Sequence, residues 1–164
     1  MPIKVPRAGA KNKMDILLNN IAEVKITYSH NVPANERLII TCSKDAYHAT
    51  QLFFDSAQIE HKEYFYILLM NRANKVLKFN KISEGGLSGT ITDIRLIFQA
   101  AIKSNASAII CIHNHPSGNT NPSQADLNVT KKVQEAGKLL DIAVLDHMIV
   151  TSDAYYSLAD NDQM

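Results

Sequence analysis

The chain has 164 residues, 17 Lys+Arg against 16 Asp+Glu, six His, two Cys and no Trp, with 46% hydrophobic and 20% charged residues. A chain of that length buries roughly 70% of its unfolded surface, so it can hold one core without disulfides or a structural metal, and a formal net charge of +1 argues against a basic footprint spread over the whole molecule. Cys42 and Cys111 lack CxxC spacing and read as reduced thiols, no apolar run approaches the roughly 18 residues of a membrane span, and no signal-type h-region opens the chain, so a cytoplasmic protein without membrane contact is expected.

Residues 1–20 read as a flexible arm. Lys4, Arg7, Lys11 and Lys13 lie in its first 13 residues with no acid among them, leaving 13 basic and 16 acidic residues, net −3, for the remainder. Such an arm can touch nucleic-acid phosphate, although short polar termini are commonly just unstructured.

Residues 21–164 read as one domain. Two short strands are expected at 21–28 (IAEVKITY) and 37–42 (RLIITC), then a helix capped by Ser43 and running to about Phe54. The apolar run 63–70 (EYFYILLM) has the character of a strand covered on both faces, and 75–82 can pair with it across a turn. Gly85, Gly86 and Gly89 make 84–89 a loop, a candidate mobile flap, and 92–104 has helical periodicity. A buried strand, 106–115, stops at Pro116; a turn-rich loop leads into a helix over 124–140; a last strand, 142–150, precedes a short polar tail. Strands on both sides of the helices predict a mixed α/β fold.

The chemistry concentrates at the end of the 106–115 strand. His113 and His115 stand at i and i+2, where strand alternation sends both imidazoles to one face and Asn114 to the other. Seven residues separate His115 from Ser123 and two more separate Ser123 from Asp126, at a helix start that the loop can fold back onto the histidines. Two imidazoles and one carboxylate around zinc leave the fourth position for water, the arrangement of a catalytic site, and such a site needs a general base outside the metal shell. Ser123 and Asp126 also fit a helix N-cap and its N3 acid. On spacing, Ser123 can serve either purpose, whereas Asp126 is not expected to satisfy both fully.

At these residues the chain resembles the JAMM (MPN+) metalloprotease motif, a Glu followed by HxH, seven residues, S, two residues, D. The fuller segment HNHPSGNTNPSQAD, with DIAVLDHMIV after it, is similar to the RadC family, the bacterial branch of that superfamily. The resemblance runs from about Ile21 to Leu158. It implies a mixed, curved β-sheet flanked by helices, the JAMM/MPN, cytidine deaminase-like architecture. It also implies one zinc ion held by His113, His115 and Asp126, with Ser123 hydrogen bonding the tetrahedral oxyanion. Glu63, 50 residues before His113, is similar in position to the family's upstream Glu and takes the general-base role, with Glu60 and Glu84 as alternatives. The implied activity is a zinc metallopeptidase or isopeptidase in which the zinc-bound water attacks an amide carbonyl of a peptide or isopeptide substrate.

His147 and Asp146 resemble the family's DH pair; a core histidine is the expectation for His147, and a small buried core residue for Cys111. His30, His48 and His61 have no metal spacing and are expected at the surface. RadC proteins typically carry an N-terminal helix-hairpin-helix segment associated with DNA. Strands expected from Ile21 onward make this chain a short form without it. The alternative function, a DNA-repair-associated or nucleic-acid-binding accessory protein acting through the basic arm, loses that support.

Overall fold

The computed structural model describes residues 32–85 and 92–164. The basic arm, the strand expected over 21–28, His30, and Gly86 and Gly89 of the expected loop lie outside the described residues. Among the described residues five strands form one mixed sheet: β1 (Tyr64–Met70), β2 (Val76–Glu84), β3 (Ala108–Asn114), β4 (Ala143–Val150) and β5 (Tyr155–Ser157), in the order β2-β1-β3-β4-β5. Only β3 and β4 run parallel; the other three pairings are antiparallel. Among the described residues three helices flank the sheet: α1 (Ser43–Thr50), α2 (Ile94–Lys103) and α3 (Gln124–Leu139).

Alternation along β1 and β3 sorts the core into two layers. Phe65, Ile67 and Leu69 with Ile109 and Cys111 face α2 and α3, where Ile97, Phe98, Ala101 and Val133 meet them. Leu68 and Met70 with Ala108, Ile110 and Ile112 face the other way, onto Ala46 and Ala49 of α1. Both layers are apolar because the two central strands are covered on both faces, as the unbroken apolar runs predict. Cys111 is buried as expected, and burial pushes its thiol up to about 12. His48 and His61 are exposed, also as expected.

The local expectations are corrected at several places. The 37–42 stretch forms only an isolated bridge between Ile39 and Lys75. α1 stops at Thr50, because Phe53 and Phe54 leave the helical path to pack on Tyr66, with Phe53 also stacked on Phe79. Its N-cap is Cys42 rather than Ser43, whose hydroxyl is turned to Asp160; Asp45 takes over at this end and accepts from the Thr41 amide and hydroxyl at 2.9 and 2.6 Å. The expected polar tail contains β5, which pairs with β4 and carries Leu158 into the interior. Asp146 anchors it, accepting from the Ser157 hydroxyl at 2.6 Å and the Ala159 amide at 3.0 Å.

Candidate metal centre

His113 lies near the end of β3, and the His115 amide continues the ladder by donating to the Val150 carbonyl at 3.1 Å. Both imidazoles therefore emerge on the α3 side of the sheet. Pro116 and Gly118 then turn the chain: the Gly118 amide donates to the His115 carbonyl at 3.0 Å, and Gly118 has φ +77, a conformation that favours glycine. The turn brings the Asn119 carbonyl within 2.6 Å of His115 Nδ1. A carbonyl only accepts, so His115 donates to it from Nδ1, and Nε2 is the atom turned to the site.

Asp126 arrives in the first turn of α3. Ser123 is the N-cap and the pair forms a capping box: the Asp126 amide donates to Ser123 Oγ at 3.2 Å, while the Ser123 amide and hydroxyl donate to Asp126 Oδ2 at 2.7 and 2.6 Å. The other oxygen, Oδ1, lies 3.2 Å from His113 Nε2, and Oδ2 lies 3.6 Å from His115 Nε2. Asp126 was not expected to satisfy capping and metal ligation fully; its carboxylate closes the capping box and also faces both histidines. A carboxylate has two oxygens and about four acceptor positions, so one oxygen can close the helix end while the group faces the histidines.

The two Nε2 atoms are 2.9 Å apart, and one ligand atom from each of His113, His115 and Asp126 lies within 4.8 Å of the others. Tetrahedral zinc with bonds of about 2.0–2.1 Å separates neighbouring ligand atoms by roughly 3.3 Å; the two nitrogens are 2.9 Å apart, and each has a different Asp126 oxygen near it, Oδ1 at 3.2 Å from His113 and Oδ2 at 3.6 Å from His115. The donor set, two imidazole nitrogens and a carboxylate, fits a divalent metal. Charge complementarity acts in the same direction. Burial alone would raise the Asp126 carboxyl, but hydrogen bonds from His113, His115 and Ser123 outweigh it and hold the group well below the usual carboxylate range. His115 is shifted up, chiefly by Asp126.

Glu63 stands one residue before β1. The β1–β3 register ends at the pair Phe65 and His113, two residues from Glu63, and the Glu63 carboxylate contributes to raising His115. Asn114, facing away from the histidines, grips the backbone on either side of Glu63. Its Nδ2 donates to the Lys62 carbonyl at 2.7 Å and the Ile59 carbonyl at 2.6 Å, and its Oδ1 accepts from the Tyr64 amide at 2.7 Å. Of the alternatives, Glu60 is exposed, and Glu84 is committed to Lys62 and Lys81 at 2.9 and 2.8 Å, which lower it to about 2.

His147 is buried, as expected of a core histidine, yet it also touches the site. Its Nε2 is 2.9 Å from His113 Nδ1, and its Nδ1 is 2.6 Å from the Thr130 hydroxyl. A bulge puts it there: Ile109 pairs with Val144 but Ile110 pairs with Asp146, so Leu145 is the extra residue and alternation restarts with His147 on the His113 side. Phe65 packs on both rings. Sequence reasoning missed Thr130 and gave Asn114 no role. For Thr130 a signal existed, its place four residues after Asp126 on the same face of the helix.

Comparison with known proteins agrees with this architecture. Residues 40–163 match the family model described as a RadC-like JAB domain. A UPF0758 protein of Flavobacterium johnsoniae is 46% identical over 121 residues, which cover 74% of this chain and 52% of that protein. A UPF0758 protein of Alkaliphilus metalliredigens is 44% identical over 115 residues (70% and 50%), and one of Porphyromonas gingivalis is 40% identical over 136 residues (80% and 59%). The chain thus spans about half the length of these relatives. With a JAB-type mixed sheet, a His-His-Asp group that could hold a metal, and a family match over most of its length, the chain belongs to the RadC family.

Proposed function

We propose that this protein is a zinc-dependent hydrolase of the JAMM metallopeptidase or isopeptidase type, cleaving an amide bond in a peptide or isopeptide substrate. The observation that carries the reading is the convergence of His113 Nε2, His115 Nε2 and the Asp126 carboxylate on one point at the end of β3. His113, His115 and Asp126 would hold the ion. Zinc bound there would supply Lewis acidity, drawing the pKa of a water toward about 7 and polarising a substrate carbonyl.

This chain's own groups do the rest. Glu63, held at the strand edge beside His115, takes the proton from the attacking water and passes it to the leaving amine, a role commonly worth 10²–10⁴-fold in rate. Ser123 donates its hydroxyl hydrogen to Asp126 Oδ2 at 2.6 Å, so it must turn that hydrogen toward the substrate to serve the oxyanion, a contribution of about 3 kcal/mol in comparable sites. The exposed free thiol of Cys42 is in keeping with a reducing compartment, and we assign the protein to the cytoplasm.

The test is zinc content by elemental analysis of the purified protein, His113→Ala and Asp126→Ala, under identical conditions. One zinc per chain, lost in both variants, is expected. Glu63→Gln should keep the zinc and lose amide hydrolysis. A wild type that neither holds zinc nor takes it up would sink the reading.

A further inference from the structure

We propose that the Ser83 hydroxyl is a substrate-binding group, hydrogen bonding the backbone of the peptide chain about three residues along from the bond under attack. The inference rests on the hydrolase reading above and deepens it, with Ser83 touching the substrate and not the ion.

Ser83 is half-buried, yet its Oγ is fully buried, and among the described residues it is the one buried side-chain oxygen or nitrogen without a hydrogen-bond partner. A hydroxyl left in that state is costly, and native structures keep few of them. Its place on the sheet is set by a bulge, a device that commonly re-aims a side chain beside an active site. Phe65 pairs with Ser83 but Tyr66 pairs with Lys81, so Ile82 is the extra residue of β2. Simple alternation from Lys81 would send Ser83 to the α1 face and Glu84 to the face of α2 and α3. The bulge exchanges them. Glu84 pairs with Tyr64, where Lys62 and Lys81 hold it, and Ser83 stands beside Phe65. Ser83, Phe65 and His113 are therefore neighbours in one row across β2, β1 and β3, on the face from which the candidate metal ligands project.

That row crosses two strand spacings, which separate the backbones of Ser83 and His113 by about 10 Å. An extended peptide advances about 3.3 Å per residue, so a chain whose carbonyl lies at the metal position comes level with Ser83 about three residues away. The residue after Glu84 leaves the approach free of a side chain: Gly85 donates its amide to the Glu63 carbonyl at 2.8 Å and has nothing of its own to close the way past Glu63 to Ser83. A hydroxyl both donates and accepts, so it can bond an amide N–H or a carbonyl of a peptide backbone whatever the side chains are. The Glu84 carboxylate in that place would only accept, and would set a second negative charge near Glu63. A partner reaching Ser83 Oγ recovers the free energy lost by burying it unpaired, which corresponds to about 10-fold in affinity.

The test uses the zinc-loaded protein and hydroxamate probes, with binding read by calorimetry. Acetohydroxamate reaches only the metal position. Tetra-alanine carrying the hydroxamate at its C-terminus, and a second carrying it at its N-terminus, extend to either side of that position. Ser83→Ala should keep its zinc, bind acetohydroxamate as wild type does, and bind at least one of the two tetrapeptide probes about 10-fold more weakly. Its melting temperature should stay at or above that of wild type, by up to about 4 °C, because the hydroxyl it removes has no partner in the fold. Ser83→Cys, a near-isosteric change to a weaker hydrogen-bonding group, should fall between the two. Wild-type affinity of Ser83→Ala for both tetrapeptide probes overturns the inference. An equal loss for acetohydroxamate does so too, since the residue would then act through the metal, and so does a lowered melting temperature or a failure to fold, since the fold would then use the hydroxyl. A wild type that binds zinc and acetohydroxamate while the probes are indifferent to Ser83 removes only this assignment, whereas a wild type that takes up no zinc removes the proposed hydrolase and the assignment with it, so the two failures are distinguishable.

Discussion

Asn114 sits between the two histidines of the motif and points away from them, and its replacement tests how the site is held. Asn114→Ala removes two hydrogen bonds to the Ile59 and Lys62 carbonyls and one from the Tyr64 amide. A buried backbone group left without a partner costs about 1–3 kcal/mol. Tyr64 is buried and its amide bears the full cost, whereas Ile59 and Lys62 are half-buried and their carbonyls can recover water. The expected loss is about 3–5 kcal/mol, large against the roughly 5–15 kcal/mol that stabilises a domain. Urea unfolding followed by circular dichroism reads it: with a slope of about 1–3 kcal/mol per molar, the midpoint should fall by roughly 1 M or more. Asn114→Asp should do no better. It keeps an acceptor for Tyr64 but sets a carboxylate oxygen against two carbonyl oxygens. Zinc content should persist in any variant that folds, because the ligands project from the other face of β3, while hydrolysis should fall as Glu63 loses its anchorage. Stability of Asn114→Ala within about 1 kcal/mol of wild type, or an Asn114→Asp protein as stable as wild type, would refute the reasoning.

Three further outcomes are expected. Gly137→Ala should destabilise by about 1–3 kcal/mol in thermal or urea unfolding although alanine is the better helix former, because its Cβ would lie 2.5 Å from the Ile142 carbonyl oxygen and 3.0 Å from Val144 Cγ2; a stabilised variant would contradict the packing. Glu84→Gln should keep the zinc and lose a small increment of stability at pH 7 in low salt. The folded Glu84 is lowered from 4.5 to about 2 by Lys81 and Lys62, so that increment is present above about 4.5, fades as pH falls toward 2, and also fades in 1 M salt, where exposed pairs are screened. An increment that grew on acidification would reverse the sign. Alkylation of the native protein followed by mass spectrometry should modify exposed Cys42 and spare buried Cys111, whose thiol is raised to about 12; equal labelling would contradict that burial.

Much of the site could be read directly because its determinants are local. Strand alternation puts His113 and His115 on one face within three residues, and an N-cap with its N3 acid is a four-residue device, so Ser123 and Asp126 announce a helix start whatever surrounds it. The two apolar runs that became β1 and β3 announced a sheet covered on both sides. Glu63 was chosen by resemblance, and that its strand end lies next to His113, through the pairing of Phe65 with His113, is something no single strand encodes.

What needed the tertiary structure depends on contacts between segments far apart in the chain. His147 reaches His113 only because an extra residue at Leu145 shifts β4 against β3, and a bulge is a property of the pairing and not of either strand. Asn114 acquires its role from a turn some 50 residues earlier, and β5 exists because Asp146 gives an otherwise polar tail something to bind. Asp126 could be matched to two uses from its spacing, but whether its two oxygens could serve both at once was a question of angles in space. Residue identity and local periodicity thus determined the candidate ligand set and the class of fold. Register, bulge and the buried hydrogen bonds, which are settled by packing between distant elements, decided how those ligands are aimed.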